Sequence, residues 1–423
     1  MPSISYFRHL IRAVFYQMTG NYDMIFDAFI KMTKHNMSPN SKFINYDLWI
    51  KNITEKIIEK KDLHFCSVDV STYPKKICIL NTELYDNGGH TELVLRYLQQ
   101  NQKTENIFVY LTNIKCREND FFEQVEKCKA IENLSEGYYV SRKDTSMTDK
   151  IFEAYNYIID NKITNVICNF HMQDAVSCAV LYMLKKYTNI EIDFWNHGDH
   201  YFSLGTTFAD RIYTRVKDNH ALTPYLKNNK NVVSGSFEFD NNINHYDNEL
   251  FENKKLEFGI GHDAFITITG CNYKKVSKEY FKMIKKMLEL NKNIYHIFVC
   301  TIDKKEKQKI INKYRLSERF IITDFIPNFD FYIQLSDLYI DSFPQGSALT
   351  LVDFIKHSKP VVIKVNEKEP VRSFEEYLYE NYEYAFKTSK GMLNGILELA
   401  ENKDKYNEIS QKVQKFFEEK YVI

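Results

Sequence analysis

No CxxC pair, and no apolar run near the roughly 18 residues of a membrane span, occurs in this sequence. The eight cysteines (Cys66, Cys78, Cys116, Cys128, Cys168, Cys178, Cys271 and Cys300) are scattered, several within apolar strand-like runs, and read as reduced core residues. Arg8 and Arg12 interrupt the stretch where a secretory leader would need its apolar core. A cytoplasmic location is the expectation, and disulfides do not persist there. An excess of positive charge is missing as well. Lys plus Arg balance Asp plus Glu at 56 each, which removes the field of a general nucleic-acid binder, so no nucleic-acid partner is expected. Low-complexity tracts and short-period repeats are also absent.

What remains is a globular composition. With 44% hydrophobic and 26% charged residues, there is enough apolar surface to offset chain entropy. A chain of 423 residues is too long for one ordinary core, so two main domains are expected. Near the start, Phe7, Leu10, Ile11, Val14, Phe15 and Met18 recur at helical spacing, with Arg8, His9 and Arg12 between them. Such an amphipathic helix packs on the body or makes peripheral contact with a membrane. Helical pattern continues to about Lys60, giving a helical segment over 1–65.

From Lys75 the pattern changes. "KKICILNTEL", "NIFVYLTNI", "NVICNF", "IEIDFWNH" and "NVVSG" read as strands. Helical material lies between them: "HTELVLRYLQQ", the stretches Phe121 to Ile131 and Lys150 to Asp160, and "DAVSCAVLYMLKKY". Continuous apolar strands alternating with helices imply a parallel sheet covered on both faces, a Rossmann-like domain over 75–237. The polar stretch Glu238 to Glu257 reads as a linker. Alternation then restarts over 258–372 with "AFITITG", "YHIFVCTI", "RFIITDFI", "DLYIDSF" and "KPVVIKV" as strands. Residues 373–423 are mostly helical and are expected to pack back on the body. The expected fold is α/β, two doubly wound Rossmann-like domains facing a cleft, with helical segments at both ends.

Four strand-to-helix mouths carry chemistry. In "DSFPQGSALTLVDFIKH", Gly346 lets the backbone approach a ligand, Ser347 can cap the following helix, and the amides of Ala348 and Leu349 would face a diphosphate. Thr350 and Asp353 lie three apart on one helical face, where the carboxylate could accept a ribose hydroxyl. With Lys356 or His357 they also make an ordinary solvent stripe. In "NTELYDNGGHTE", Gly88 and Gly89 open the loop, and His90 stands where a general base or a neutral donor would be useful. "WNHGDHYFSLG" gathers Asn196, His197, Asp199 and His200. A carboxylate-oriented base explains that set as well as a metal site, which lacks a fourth ligand at the usual spacing, and a plain polar loop is the third reading. In "TGCNYKKVSKE", Lys274 or Lys275 could neutralise a departing diphosphate. Open α/β sheets bind ligands at the carboxyl ends of their strands, which is where all four lie.

With these residues assembled, the chain resembles a GT-B glycosyltransferase. More narrowly, "YIDSFPQGSALTLVDFIKHSKPVV" and "GCNYKKVSKE" are similar to the C-terminal domain of the O-GlcNAc transferase group, which includes bacterial protein N-glucosyltransferases, over about Ala264 to Val365. The resemblance implies Lys274 or Lys275 on the donor diphosphate, Gly346, Ser347 and the following amides on the phosphates, and Asp353 on the ribose. It also implies inversion at the anomeric carbon, no metal, and no cofactor beyond a nucleotide diphosphate sugar as donor substrate. Where that group has Gly-His-Thr-Thr, this chain has Ser347, Ala348, Leu349 and Thr350, so donor contacts there differ. No tetratricopeptide repeats precede the domain, so a protein acceptor does not follow. "WNHGDHYFSLG" looks like a loop of bacterial transferases acting on surface glycans.

The expected activity is transfer of a hexose or N-acetylhexosamine from a UDP-linked donor to a glycan, lipid-linked or protein acceptor. His90 or His197, with Asp199 and His200 nearby, would position or deprotonate that acceptor. Rival readings keep the fold: a sugar-nucleotide epimerase, a teichoic-acid-type glycerophosphotransferase, or a catalytically silent nucleotide-sugar-binding subunit.

Overall fold

Runs rich in Ile, Val, Phe and Tyr can be buried on both faces only within a parallel sheet flanked by helices, and two such sheets form. The structure is a computed structural model that describes residues 4–35, 46–85, 89–114, 126–196, 203–214, 232–234, 243–300, 302–324, 329–344, 346–347, 349–365 and 382–421. The chain divides into two units, Met1–Gly235 and Ser236–Ile423.

The first unit opens with three helices, α1 (Ile4–Thr19), α2 (Tyr22–His35) and α3 (Tyr46–Lys60). Its sheet contains β1 (Lys76–Asn81), β2 (Asn106–Leu111), β3 (Gly137–Val140), β4 (Asn165–Cys168), β5 (Glu191–Trp195), β6 (Arg211–Thr214) and β7 (Val232–Ser234). Strand order is β3-β2-β1-β4-β5-β6-β7, and every pairing is parallel. Between strands run α4 (Gly89–Asn101), α5 (Glu126–Leu134), α6 (Met147–Asp160) and α7 (Ala175–Tyr187). Ser146 caps α6 and Asp174 caps α7, each accepting a bond from an otherwise orphaned amide of the first turn. Ten successive residues of α7, Ala175 to Leu184, are buried. Helices α2 and α3 cover it, which is why it lacks a polar face.

The second unit begins with α8 (Asn248–Glu257). Its sheet holds β8 (Phe265–Gly270), β9 (Ile294–Val299), β10 (Phe320–Thr323), β11 (Leu338–Ile340), β12 (Val361–Lys364) and β13 (Ala385–Phe386). Strand order is β10-β9-β8-β11-β12-β13, again all parallel. The helices are α9 (Lys278–Leu290), α10 (Lys304–Tyr314), α11 (Phe329–Leu335), α12 (Leu349–Lys356), α13 (Ser389–Glu401) and α14 (Lys403–Tyr421). Ile409, Val413 and Phe417 of α14 enter the core of this unit.

Three strands differ from the sequence reading. β3, β6 and β13 are short, with partly buried or polar residues, and gain their order from the neighbours they pair with. The polar stretch taken as a linker is in part α8. Asp247 caps it, and Phe251 stacks on Phe331 at 5.0 Å and meets Tyr246 edge-on at 6.2 Å, so aromatic contacts anchor a helix that buries nothing fully. The helix expected over Phe121 to Ile131 runs from Glu126 to Leu134, and 121–125 lie outside the described residues. Among the described residues no helix is long and apolar enough to cross a membrane.

In both sheets strand order reverses direction once, between β1 and β4 and between β8 and β11. At such a switch point the flanking loops leave towards opposite faces and open a crevice at the strands' carboxyl ends.

Candidate functional site

The one acid in the apolar run after β11 organises the turn that follows. Asp341 is 2% exposed, and its Oδ1 accepts three bonds: from Ser342 N (2.9 Å), Ser347 N (2.8 Å) and Ser347 Oγ (2.7 Å). Tyr339 Oη lies 2.8 Å from the same Ser347 Oγ. Burial pushes the Asp341 carboxyl up to about 6, against the bonds from Ser347 and the attraction of Lys275. Gly346 is required here because a Cβ at that position would stand 2.6 Å from Asp341 Oδ2. The Ser347 hydroxyl is thus directed inward, towards Tyr339 and Asp341.

The neighbouring mouth, after β8, is tied to this turn. Ser277 N donates to Phe343 O at 3.0 Å, and Val276 pairs with Pro344. A single 3-10 turn, Tyr273–Lys275, is capped by Asn272 Oδ1, which accepts from Lys274 N at 3.0 Å. This turn separates the two candidate lysines. Lys274 is exposed, whereas Lys275 is half-buried with its Nζ 3.4 Å from Gly346 O. Gly346, Lys275 and the start of α12 therefore meet at the β8/β11 switch point. Thr350 and Asp353 are half-buried on α12, beside the buried Leu351, Val352, Phe354 and Ile355. His357 does not join them in a solvent stripe, because its side chain is buried against the Asp330 carboxylate. Ala348 lies outside the described residues.

In the first unit, polar residues collect where β1 and β4 end side by side. His90, one residue into α4, places Nε2 3.1 Å from His171 Nε2. Tyr85 Oη is 2.9 Å from the same His171 nitrogen, and its ring meets His90 edge-on at 4.9 Å. The Glu83 carboxylate is 3.8 Å from His171 Nδ1, and both side chains are nearly inaccessible. Below them Thr82 Oγ1 accepts from His171 N (2.9 Å) and donates to Asp174 (2.7 Å), which also accepts from Thr112 Oγ1 at 2.7 Å. Burial raises the pKa of Asp174 above the ordinary carboxylate value, and its Ser177, Thr82 and Thr112 bonds oppose that rise. Asn169 Nδ2 donates to His90 O (3.0 Å) and to Asn81 Oδ1 (2.9 Å), fixing the start of α4 on the sheet. Gly89 is the first residue of α4. Gly88, His197, Asp199 and His200 lie outside the described residues, and Asn196, which precedes them, is buried with its N–H on Tyr213 O.

Sequence reasoning passed over Glu83, Tyr85, His171 and the ordering role of Asp341. The signal for His171 was its position just after the strand "NVIC". That signal gains meaning only once β4 is known to lie beside β1.

No family model matches the sequence. It is 22% identical to UvrABC system protein C of Ureaplasma parvum, over 92% of this chain and 71% of that protein, an identity that fixes neither fold nor family. Solved structures match far more consistently. HepE of Anabaena, in complex with UDP and glucose, superposes with a TM-score of 0.63 at 14% identity, over 82% of this chain and 96% of that one. The O-GlcNAc transferase of Thermobaculum terrenum superposes with a TM-score of 0.55 at 9% identity, over 94% of this chain and 73% of that one. A structure described as a UDP-N-acetylglucosamine 2-epimerase from Listeria monocytogenes gives a TM-score of 0.55 at 11% identity, over 79% of this chain and 91% of that one. With two parallel sheets, each reversing strand order once and each bearing polar residues at that point, the chain has a GT-B glycosyltransferase-like fold.

Proposed function

We propose that this protein transfers a hexose or N-acetylhexosamine from a UDP-linked donor to a hydroxyl or amide acceptor. The observation that carries the reading is the Asp341-ordered turn, with Gly346 in its backbone and Lys275 against it, at the switch point of a Rossmann-like unit. A side-chain-free backbone followed by a helix N-terminus suits a diphosphate. Lys275 would stabilise the charge that develops on the diphosphate as the sugar leaves, so the reaction needs no metal. Asp353 would accept a ribose hydroxyl. In the first unit, His90 is the group we assign to the acceptor, with His171 and Tyr85 holding its orientation and Glu83 beside His171. That neighbours of the same fold are described with UDP and UDP-glucose supports the choice of nucleotide. The free cysteines among the described residues suit a cytoplasmic setting, where such donors would be met.

A thermal-shift series with UDP, GDP, CDP and TDP tests the donor site, since a ligand that prefers the native state stabilises it by about 2.7 kcal/mol at a hundredfold excess over Kd. UDP is expected to raise Tm selectively, and no shift at millimolar UDP would sink the reading. In Gly346→Ala the new Cβ displaces the Asp341 carboxylate, so that variant is expected to lose the UDP-dependent shift even where it folds. The epimerase-like neighbour supports a second reading of the same site. Product analysis separates the two: an epimerase alters the sugar without an acceptor and without releasing UDP, whereas a transferase accumulates UDP only as acceptor is consumed.

A further inference from the structure

Helix α1 is buried on one side only. Tyr6 and Ala13 face inward; Tyr46 Oη donates to Tyr6 Oη at 2.9 Å and Trp49 Nε1 donates to Gln17 Oε1 at 2.8 Å, tying α1 to α3. Phe7, Ile11, Val14, Phe15 and Met18 lie outside, from 46% exposed at Val14 to 82% at Met18. At 100° per residue these five fall within an arc of about 100°, a continuous stripe along the helix. Single exposed apolar residues are ordinary; five large ones on one face mark a surface that something covers.

Charge selects the occupant. Arg8 and Arg12 flank the stripe on the Phe15 side, and Ile4–Thr19 contains no acid. Neither arginine has an ion pair among the described residues. The acids of α2 are engaged elsewhere: Asp23 accepts from Thr148 N and Oγ1, and Asp27 pairs with Lys31. A second copy packed antiparallel would set arginine against arginine, with no acid on α1 to relieve them. An anionic lipid surface supplies both an apolar boundary for the stripe and negative charge for its flank.

We infer that α1 docks this protein on an anionic lipid surface, with the Phe7–Met18 stripe in the acyl boundary and Arg8 and Arg12 at the headgroups. The inference stands apart from the sugar-transfer reading. In the same helical layer, Asp47 of α3 accepts from Gly205 N (2.9 Å) and Thr207 N (3.1 Å).

Co-sedimentation of the full chain with phosphatidylcholine vesicles, with and without one-third phosphatidylglycerol, tests it. Binding is expected to the anionic vesicles, to weaken at least about tenfold in Phe15→Glu and in Arg8→Gln/Arg12→Gln, and to fall as salt rises from about 0.1 to about 0.5 M. Both variants alter exposed or flanking side chains, so Tm is expected to stay near wild type; should Phe15→Glu fail to fold, the arginine variant and the salt series decide. No sedimentation with anionic vesicles, or sedimentation of both variants equal to that of the wild-type chain, overturns the proposal. A dimer by light scattering that Phe15→Glu dissolves, without vesicle binding, assigns the stripe to a second copy and overturns it too.

Discussion

Replacing Lys275 by Met is expected to lower sugar-transfer turnover by about 10²–10³-fold, the usual effect of removing one preorganised donor to a developing charge. The same change at Lys274 is expected to alter turnover by less than about fivefold, since an exposed charge free of fixed geometry contributes under about 1 kcal/mol. The distinction comes from the 3-10 turn Tyr273–Lys275, which leaves Lys274 in solvent and brings Lys275 Nζ to 3.4 Å from Gly346 O. Single-turnover rates with saturating donor separate loss of chemistry from loss of binding. Equal effects at the two positions would remove the turn as the discriminating element. Lys275 also attracts the Asp341 carboxylate, so its removal raises the Asp341 pKa further, which carbon-detected NMR titration of the aspartates would report.

How much of this was legible beforehand depends on what each feature requires. The apolar strands "KICILN" and "FITITG" announce themselves because burial on both faces leaves no room for polar alternation. Strand β6 does not, since "RIYT" begins with an arginine paired to Asp193 of β5 and so looks like loop. The turn after β11 was legible as a local event, strand then Pro-Gln-Gly-Ser then helix. Its internal wiring was not: that Ser347 would be directed inward by Asp341 and Tyr339 depends on the depth at which β11 ends. His90 was visible from its glycines, but His171 is 81 residues away and joins it only because β4 enters the sheet next to β1. Strand order is a long-range property, and one sequence carries it only through the whole energy balance.

Asp341 gives a second large effect, with a sign that distinguishes its two obvious variants. Asp341→Ala leaves Ser342 N and Ser347 N buried without their acceptor, at about 1–3 kcal/mol each, while Ser347 Oγ keeps Tyr339 Oη as a partner, so a loss of at least about 2 kcal/mol and roughly 4–8 °C in the Tm of the second unit is expected. Asp341→Asn keeps an acceptor where Oδ1 stands and removes the buried charge. Because the folded-state pKa is raised to about 6, above an unfolded value of about 3.9, the native state binds more protons than the unfolded state between those values. Stability from this group is therefore highest below about pH 4, falls as pH rises, and is lower by roughly 3 kcal/mol once pH exceeds 6. The Asn variant lacks that dependence, so its urea-unfolding free energy is expected to gain on wild type between pH 4.5 and pH 7 by about 2 kcal/mol. Parallel curves for the two proteins would mean that the carboxylate is not desolvated as its position implies. If the curves diverge, the acid is kept at a thermodynamic disadvantage at neutral pH, and the turn it orders around Gly346 is what the chain gains in return.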